Sequence, residues 1–178
     1  MILKVVGVKD PVLRQKARPV TKIDKKIRQL IADMKNTLGS QRDPEGVGLA
    51  APQVGKSIRL FIMKYKGNER VVINPEILEV RKEKIGKKKA KKKKRNILEG
   101  CLSLPHYYGP IERDNSIKIK YLNENGEELV EVFTGFLAQI IEHEIDHLEG
   151  ILFIDHILKQ KAPLYKFDGG EWEDVELI

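Results

Sequence analysis

The clearest pattern in the sequence is an apolar stripe with helical spacing in residues 24–39. Apolar side chains recur there at intervals of three and four positions, which is the period of one helix face. Asp24 precedes the stripe as an N-cap residue, and Gly39 follows it as a stop. We therefore predict an amphipathic helix near the N-terminus. Its buried face consists of Ile27, Leu30, Ile31, Met34 and Leu38.

A second helical pattern covers residues 134–150 and is more apolar than the first. Its N-terminal half, FLAQII, is apolar on most sides, so we expect this helix to be buried. Thr134 is the predicted N-cap, and Gly150 stands where a helix-ending glycine is typical. The polar residues of this helix therefore concentrate in its second half, which reads HEIDH at 143–147.

Four further segments are rich in β-branched and aromatic residues and predict strands, with a hairpin turn at 123–126 between the last two. Residues 46–55 are glycine-rich and loop-like, and the tail after Gly150 looks irregular until a short strand at 172–178. Several strands with two separate helices predict an α+β fold, with small antiparallel or mixed sheets packed around the HEIDH helix. The length fits one domain over residues 1–178. The strand segments are 58–65, 71–74, 117–122 and 128–133.

The basic charge of the chain is concentrated in one segment. Residues 81–95 hold eleven basic residues and one acid, a local charge of +10, which leaves −3 for the rest of a chain whose total is +7. We predict that residues 82–95 form an inserted Lys-rich loop. Such a loop is either a solvated coil or a segment that contacts ribosomal RNA through counterion release.

Composition and the N-terminal residues argue against several classes of protein. No stretch approaches the ~18 apolar residues of a membrane span, and the N-terminus lacks the basic and apolar regions of a signal peptide. The single cysteine cannot build a disulfide framework. We therefore expect a soluble cytoplasmic protein, in which Cys101 has another purpose.

The segment His143–His147 has the HExxH pattern of many zinc enzymes. Residues four positions apart on a helix differ by only about 40° in direction, so His143 and His147 can bind one metal ion. Glu144 can take a proton from a water that the metal has made acidic. The alternative is a charged helix end exposed to solvent. The apolar residues upstream favour the metal site.

Two histidines leave a catalytic metal one protein ligand short. Asp155 and His156 follow in sequence but lie beyond Gly150, where the helix is expected to end. Cys101 is the other candidate, because a thiolate binds Zn²⁺ or Fe²⁺ strongly and leaves a fourth position open. A lone cysteine is more often a small buried apolar residue. The residues alone therefore leave the third ligand undecided.

The glycine-rich segment GVGLAAPQ at 46–53 has small residues that let another backbone or an extended ligand lie close. Gln53 carries a neutral amide donor suited to an oxyanion. A tight turn packed on a helix is an equally good interpretation. A phosphate-binding loop is excluded, because no Lys-Ser/Thr pair follows at the required spacing.

GVGLAAPQ, EGCLS at 99–103 and HEIDH, in this order and spacing, resemble the three signature motifs of the peptide deformylases. The resemblance extends to DPVLRQKARPV near the N-terminus and to INPEI at 73–77. It implies a hydrolase that removes the formyl group from the N-terminal formylmethionine of new polypeptides and releases formate. It also implies one divalent metal ion, Fe²⁺ in many members, which Zn²⁺, Ni²⁺ or Co²⁺ can replace.

The same resemblance implies a role for each matched residue. The metal ligands are Cys101, His143 and His147. The groups that act on the formyl carbon are Glu144, which transfers the water proton, and Gln53 and Leu102, which hold the oxyanion. The substrate-binding residues are Val47, Gly48, Gly100, Gln139 and Ile140. Glu99 and Arg113 form a supporting ion pair.

Two residues depart from the family pattern. Glu142 stands where the family usually has Gln before the first histidine, and it either changes the hydrogen bonds around the site or points outward. Gln139 stands where relatives tend to have an apolar residue that lines the methionine pocket. Its amide is expected to narrow or polarise that pocket.

Two other functions fit parts of the sequence. A zinc peptidase of the HExxH type predicts a third ligand downstream of the helix and a dispensable Cys101. A basic RNA-binding module would use the Lys-rich segment, but the chain lacks the aromatic stacking motifs of RNA-binding sheets and its body is not basic. The expected partners are N-formylmethionyl nascent peptides and, through 82–95, the ribosome. We expect a monomer that does not bind membranes.

Overall fold

The computed structural model describes residues 1–81 and 98–176, so the predicted Lys-rich loop at 82–95 lies outside the described residues. In these ranges the chain forms three α-helices and nine β-strands. The helices are α1 (Lys25–Ser40), α2 (Phe136–Glu149) and α3 (Phe153–Gln160). The strands are β1 (Gly48–Ala50), β2 (Leu60–Tyr65), β3 (Asn68–Arg81), β4 (Leu98–Cys101), β5 (Leu104–Pro110), β6 (Ser116–Leu122), β7 (Glu128–Thr134), β8 (Leu164–Asp168) and β9 (Glu171–Val175).

The strands form two sheets, and all paired strands within each sheet are antiparallel. One sheet has the order β1-β2-β3-β6-β7 and the other has the order β4-β5-β8-β9. In the part of the chain that the structure describes, β1 and β4 therefore each lie at the edge of a sheet. The α+β fold predicted from the sequence is confirmed, as are the strands at 58–65, 71–74, 117–122 and 128–133 and the hairpin turn between the last two.

Helix α1 has the predicted start but a different end. The Asp24 carboxylate accepts hydrogen bonds from the N–H groups of Lys26 and Ile27, which confirms it as the N-cap. The predicted stop at Gly39 is wrong by one residue, because the helix continues to Ser40. The Ser40 hydroxyl and the Gln41 side-chain amide donate to the carbonyl of Thr37 in the last turn. The apolar face of α1 packs against β1, β2 and β3.

Helix α2 packs its apolar residues against the five-stranded sheet. The predicted N-cap Thr134 is wrong, because this β-branched residue continues β7 and pairs with Ser116. Gly135, at φ 60°, makes the turn into the helix. The predicted C-terminal glycine is confirmed. Gly150 has φ 75°, and a side chain there would collide with the backbone of Arg14.

Two segments predicted to be irregular are ordered, and those predictions are wrong. The loop-like segment 46–55 contains β1 and a 3₁₀ turn at Ala51–Val54. The tail contains α3, whose residues Phe153 and Ile157 are buried, and β8, neither of which was predicted; the short strand predicted at 172–178 is found as β9 in the described residues. The burial of these apolar side chains against β4 and β5 supplies the order that the local pattern does not show. None of the helices in the described part is long and apolar enough to cross a bilayer.

Candidate metal centre

Three side chains that are distant in sequence meet between β4 and α2. Cys101 is the last residue of β4, while His143 and His147 project from one face of α2. One ligand atom from each lies within 4.8 Å of the others, and Cys101 Sγ is 3.3 Å from His147 Nε2. All three residues are at most 9% exposed. The cluster is therefore closed to bulk water on most sides.

The cluster fits a single transition-metal ion. In a tetrahedral site with Zn–S and Zn–N bonds of ordinary length, neighbouring ligand atoms are about 3.3–3.7 Å apart. The short distance between Cys101 and His147 matches this spacing. His143 directs Nδ1 to a Glu99 oxygen at 2.7 Å, which leaves Nε2 for the ion. A carboxylate behind a ligating imidazole fixes its tautomer and orientation.

The charge state of the cysteine also suits a metal ligand. Burial disfavours a thiolate, but the pKa of Cys101 is held well below its ordinary value, because His147 and His143 interact with the sulfur. The pKa of His143 lies well above its ordinary value despite burial, because Cys101 and Glu99 both stabilise its charged form. The thiolate is the form of cysteine that binds metals.

Glu144 lies beside this cluster in a buried position. The side chain is 3% exposed, and its Oε2 has no hydrogen-bond partner among the described residues. Burial raises the pKa of Glu144 to about 7, although His143 and His147 oppose the shift. A side chain at Gly48 would overlap the Glu144 carboxylate, so β1 passes directly over it. A carboxyl group with this pKa can both accept and return a proton near neutral pH.

Glu99 and Arg113 form the predicted ion pair. Arg113 Nη2 is 2.6 Å from Glu99 Oε1, and both side chains are almost fully buried. The contacts with His143 and Arg113 outweigh burial and hold the pKa of Glu99 far below its ordinary range. Arg113 also binds Asp146 at 2.6 Å, and His156 binds the same carboxylate at 2.8 Å. Asp146 and His156 thus extend the network.

His156 and Asp155 do not join the metal cluster. His156 contacts Asp146 and lies near Arg113, whereas Asp155 pairs with Arg14 on the surface. Among the residues that the structure describes, the grouped ligands are Cys101 and the two α2 histidines. The downstream ligand expected of an HExxH peptidase is therefore not found in the described part of the chain.

The two residues that depart from the family pattern have defined partners. The amide of Gln139 donates to Glu99 Oε2 at 3.2 Å, so its polar end is held by the buried ion pair. Glu142 Oε2 accepts from the N–H of Asp114 at 3.4 Å. Burial raises the pKa of Glu142 to about 7, and the nearby carboxylate of Asp114 contributes to the rise. Glu142 therefore faces the loop at Asp114.

The amide of Gln53 is oriented by three contacts. Its oxygen accepts from the N–H of Ala50 at 2.8 Å. Its nitrogen donates to Ser103 Oγ at 3.3 Å and to Cys101 Sγ at 3.5 Å. The N–H donors of the amide consequently point toward the sulfur of the cluster.

A pocket of about 180 Å³ opens onto the cluster between the edge strands β1 and β4. It contains the residues predicted to bind substrate or to hold the oxyanion, which are Val47, Gly48, Gln53, Gly100, Leu102, Gln139 and Ile140. Further lining residues were not predicted from the sequence, since the loop before β1, the starts of β4 and α2, and β5 carried no local signal of a site. These are Pro44, Glu45, Leu98, His106, Tyr108 and Phe136.

An α+β fold that buries a cysteine, two histidines and a carboxyl group at the end of a pocket has the architecture of a metal-dependent hydrolase. The family model of polypeptide deformylases matches residues 2–163. The chain therefore belongs to the polypeptide deformylase family. Enzymes of this family remove N-formyl groups from newly made polypeptides, and the predicted family, enzyme class and reaction are confirmed.

Individual relatives support this assignment over most of the chain. The peptide deformylase of Pseudothermotoga lettingae is 41% identical over 157 residues, covering 88% of this chain and 84% of the relative. Peptide deformylase 1 of Clostridium perfringens is 46% identical over 151 residues, covering 84% and 93%. The crystal structure of the Thermotoga maritima peptide deformylase has a TM-score of 0.75 at 41% identity, covering 88% of this chain and 97% of that one.

Proposed function

We propose that Cys101, His143 and His147 hold the divalent metal ion of this deformylase. Fe²⁺ is the proposed native ion, and Zn²⁺, Ni²⁺ or Co²⁺ are proposed replacements, since a set of one thiolate and two imidazoles accepts each of them. The observation that carries this proposal is the buried cluster with ligand atoms within 4.8 Å. When bound, the ion supplies a Lewis acid that polarises the formyl group and acidifies water.

The substrate lies between the two edge strands. The outer edges of β1 and β4 both border the pocket, and each offers backbone groups to an extended peptide. Val47 and Gly48 on one side and Gly100 on the other would pair with the peptide backbone, in the way that a peptide adds a strand to a sheet edge. This placement directs the formyl group to the cluster at the pocket's end.

Glu144 moves the proton in the reaction. It takes a proton from the attacking water and delivers it to the nitrogen that leaves as the new N-terminal amine. Its burial beside the cluster and its pKa near 7 support both steps. The Gln53 amide and the Leu102 N–H donate hydrogen bonds to the oxygen that becomes negatively charged at the formyl carbon.

The methionine side chain occupies the apolar part of the pocket. Ile140 on α2 lines this part together with Gln139. Because the amide of Gln139 is bound to Glu99, it does not need a partner from the substrate. We therefore expect that methionine is accepted despite the polar residue in the wall.

Formate release tests this function. Protein prepared without oxygen and loaded with Fe²⁺, Ni²⁺ or Zn²⁺ is expected to release formate from formyl-Met-Ala-Ser, and comparison of the three forms shows which metal supports the reaction best. Formate is measured with a coupled dehydrogenase, and acetyl-Met-Ala-Ser serves as the control substrate. Absence of formate with all three metals would overturn the proposal.

We also propose that the enzyme is a cytoplasmic monomer of one domain.

We further propose that the Lys-rich segment 82–95 binds ribosomal RNA. This proposal is supported by the concentration of a +10 charge in residues 81–95, while the rest of the chain carries −3. Deletion of 82–95 is expected to abolish co-sedimentation with ribosomes at moderate salt, because counterion release is lost. A matched variant with Gln for each Lys in the segment separates charge from length. Unchanged co-sedimentation of both variants would exclude this role.

A further inference from the structure

The β8–β9 hairpin adds to the active-site region from outside the family match. The family model ends at residue 163, and the hairpin begins at Leu164. Strand β8 pairs with β5, with Tyr165 opposite Tyr108. Tyr108 lines the pocket. The hairpin therefore borders the substrate pocket through Tyr108, which lies on the neighbouring strand β5.

Tyr108 is held between the backbone next to the metal cluster and an exposed tryptophan. A side chain at Gly100 would lie 2.7 Å from two carbons of the Tyr108 ring, so this ring covers the residue before Cys101. The same ring also meets Trp172 edge to face, with the ring centroids 5.5 Å apart. Phe167 supports Trp172 at 4.9 Å. These contacts set the position of the Tyr108 ring.

The exposure of Trp172 is large for a residue that supports a pocket wall. Its side chain is 53% exposed, although it contacts three other aromatic rings. Glu171 and Glu173 flank it on β9, but neighbouring side chains of a strand alternate between its two faces, so both lie on the face opposite Trp172. The surface beside Tyr108 is therefore formed by aromatic rings.

We propose that Tyr108, positioned by Trp172, forms a subsite that selects an apolar side chain at the third residue of the formyl peptide. The inference rests on the proposed function. Successive side chains of an extended peptide point to opposite sides. If methionine enters the pocket, the side chain of the third residue lies on the same side of the peptide, about 6.6 Å further along the extended chain.

A peptide series tests this subsite. The native enzyme is expected to rank formyl-Met-Ala-Leu above both formyl-Met-Ala-Ser and formyl-Met-Ala-Asp, because only the Leu side chain gains apolar contact with the aromatic rings. In Trp172→Ala the preference for Leu over Ser falls by about three- to tenfold, the range of one lost aromatic contact, and the loss appears in KM rather than in kcat. Trp172→Phe is expected to retain most of the preference for Leu over Ser. Leu158→Ala removes an exposed apolar residue that does not line this pocket, and it is the matched control.

Trp172 also gives a binding signal that does not depend on turnover, because it is the sole tryptophan. Titration of Glu144→Gln protein with formyl-Met-Ala-Leu is expected to change its fluorescence more than titration with formyl-Met-Ala. The proposed subsite would be overturned if Trp172→Ala and Tyr108→Ala both left the Leu/Ser preference unaltered. It would also be overturned if these variants changed only the preference at the second residue of the peptide. Failure of the function itself would differ, because no peptide, including formyl-Met-Ala, would then release formate.

Discussion

Replacement of Glu144 by Gln is expected to lower kcat/KM for formyl peptides by about 10²–10⁴-fold, the usual contribution of a positioned acid–base group. The variant keeps the shape of the side chain but cannot take the proton of the attacking water. Metal content, measured by elemental analysis, is expected to stay at the native level, because Glu144 is not one of the three clustered ligands.

Glu142→Gln is the matched control for this experiment. It removes a carboxylate from the neighbouring position of the same helix, but Glu142 faces Asp114 rather than the cluster. This variant is expected to retain most of the native activity. If Glu144→Gln were as active as Glu142→Gln, another group would have to carry the proton and the proposed role of Glu144 would be wrong.

Cys101→Ala is expected to lose both the metal and the activity. Loss of a group that merely orients a ligand typically costs 10–100-fold in affinity or activity, so loss of the thiolate ligand is expected to cost more than about 100-fold. The substitution is small, and Cys101 packs with the buried apolar side chains of Phe153 and Ile157 on α3, so the fold should survive. Metal content and thermal unfolding are measured on the same preparation.

His156→Ala separates the deformylase arrangement from that of an HExxH peptidase. The peptidase alternative needs a downstream ligand, and His156 is the downstream histidine nearest in sequence. Because His156 contacts Asp146, its removal is expected to leave the metal bound. Retention of metal in Cys101→Ala combined with its loss in His156→Ala would contradict the proposed ligand set.

Much of the fold follows from local signals in the sequence. The apolar period and the Asp24 cap define α1, and alternation with an Asn-rich turn defines the β6–β7 hairpin. The errors arise where tertiary contacts override local preference. Thr134 is a good capping residue, yet its pairing with Ser116 keeps it in a strand. Helix α3 lacks a capping residue before it, and the burial of Phe153 and Ile157 stabilises it instead.

The candidate site shows the same division. HExxH places two histidines on one helix face through local geometry alone. The approach of Cys101 depends on the β4–β5 pairing and on α3, which no local pattern reports. The contacts of Asp146 with Arg113 and His156 join residues 33 and 10 positions apart in sequence. Gln139 is identifiable as unusual from the sequence, but its bond to Glu99 is visible only in three dimensions.

The position of the sole cysteine has a consequence for how the enzyme fails. Oxidants that reach Cys101 attack the same atom that is proposed to hold the metal, and the chain has no second thiol to form a rescuing disulfide. Oxidation of a thiolate beyond sulfenic acid is generally irreversible. Damage is therefore all-or-none for each molecule. A population exposed to peroxide should contain a shrinking number of fully active enzymes rather than a uniform pool of impaired ones.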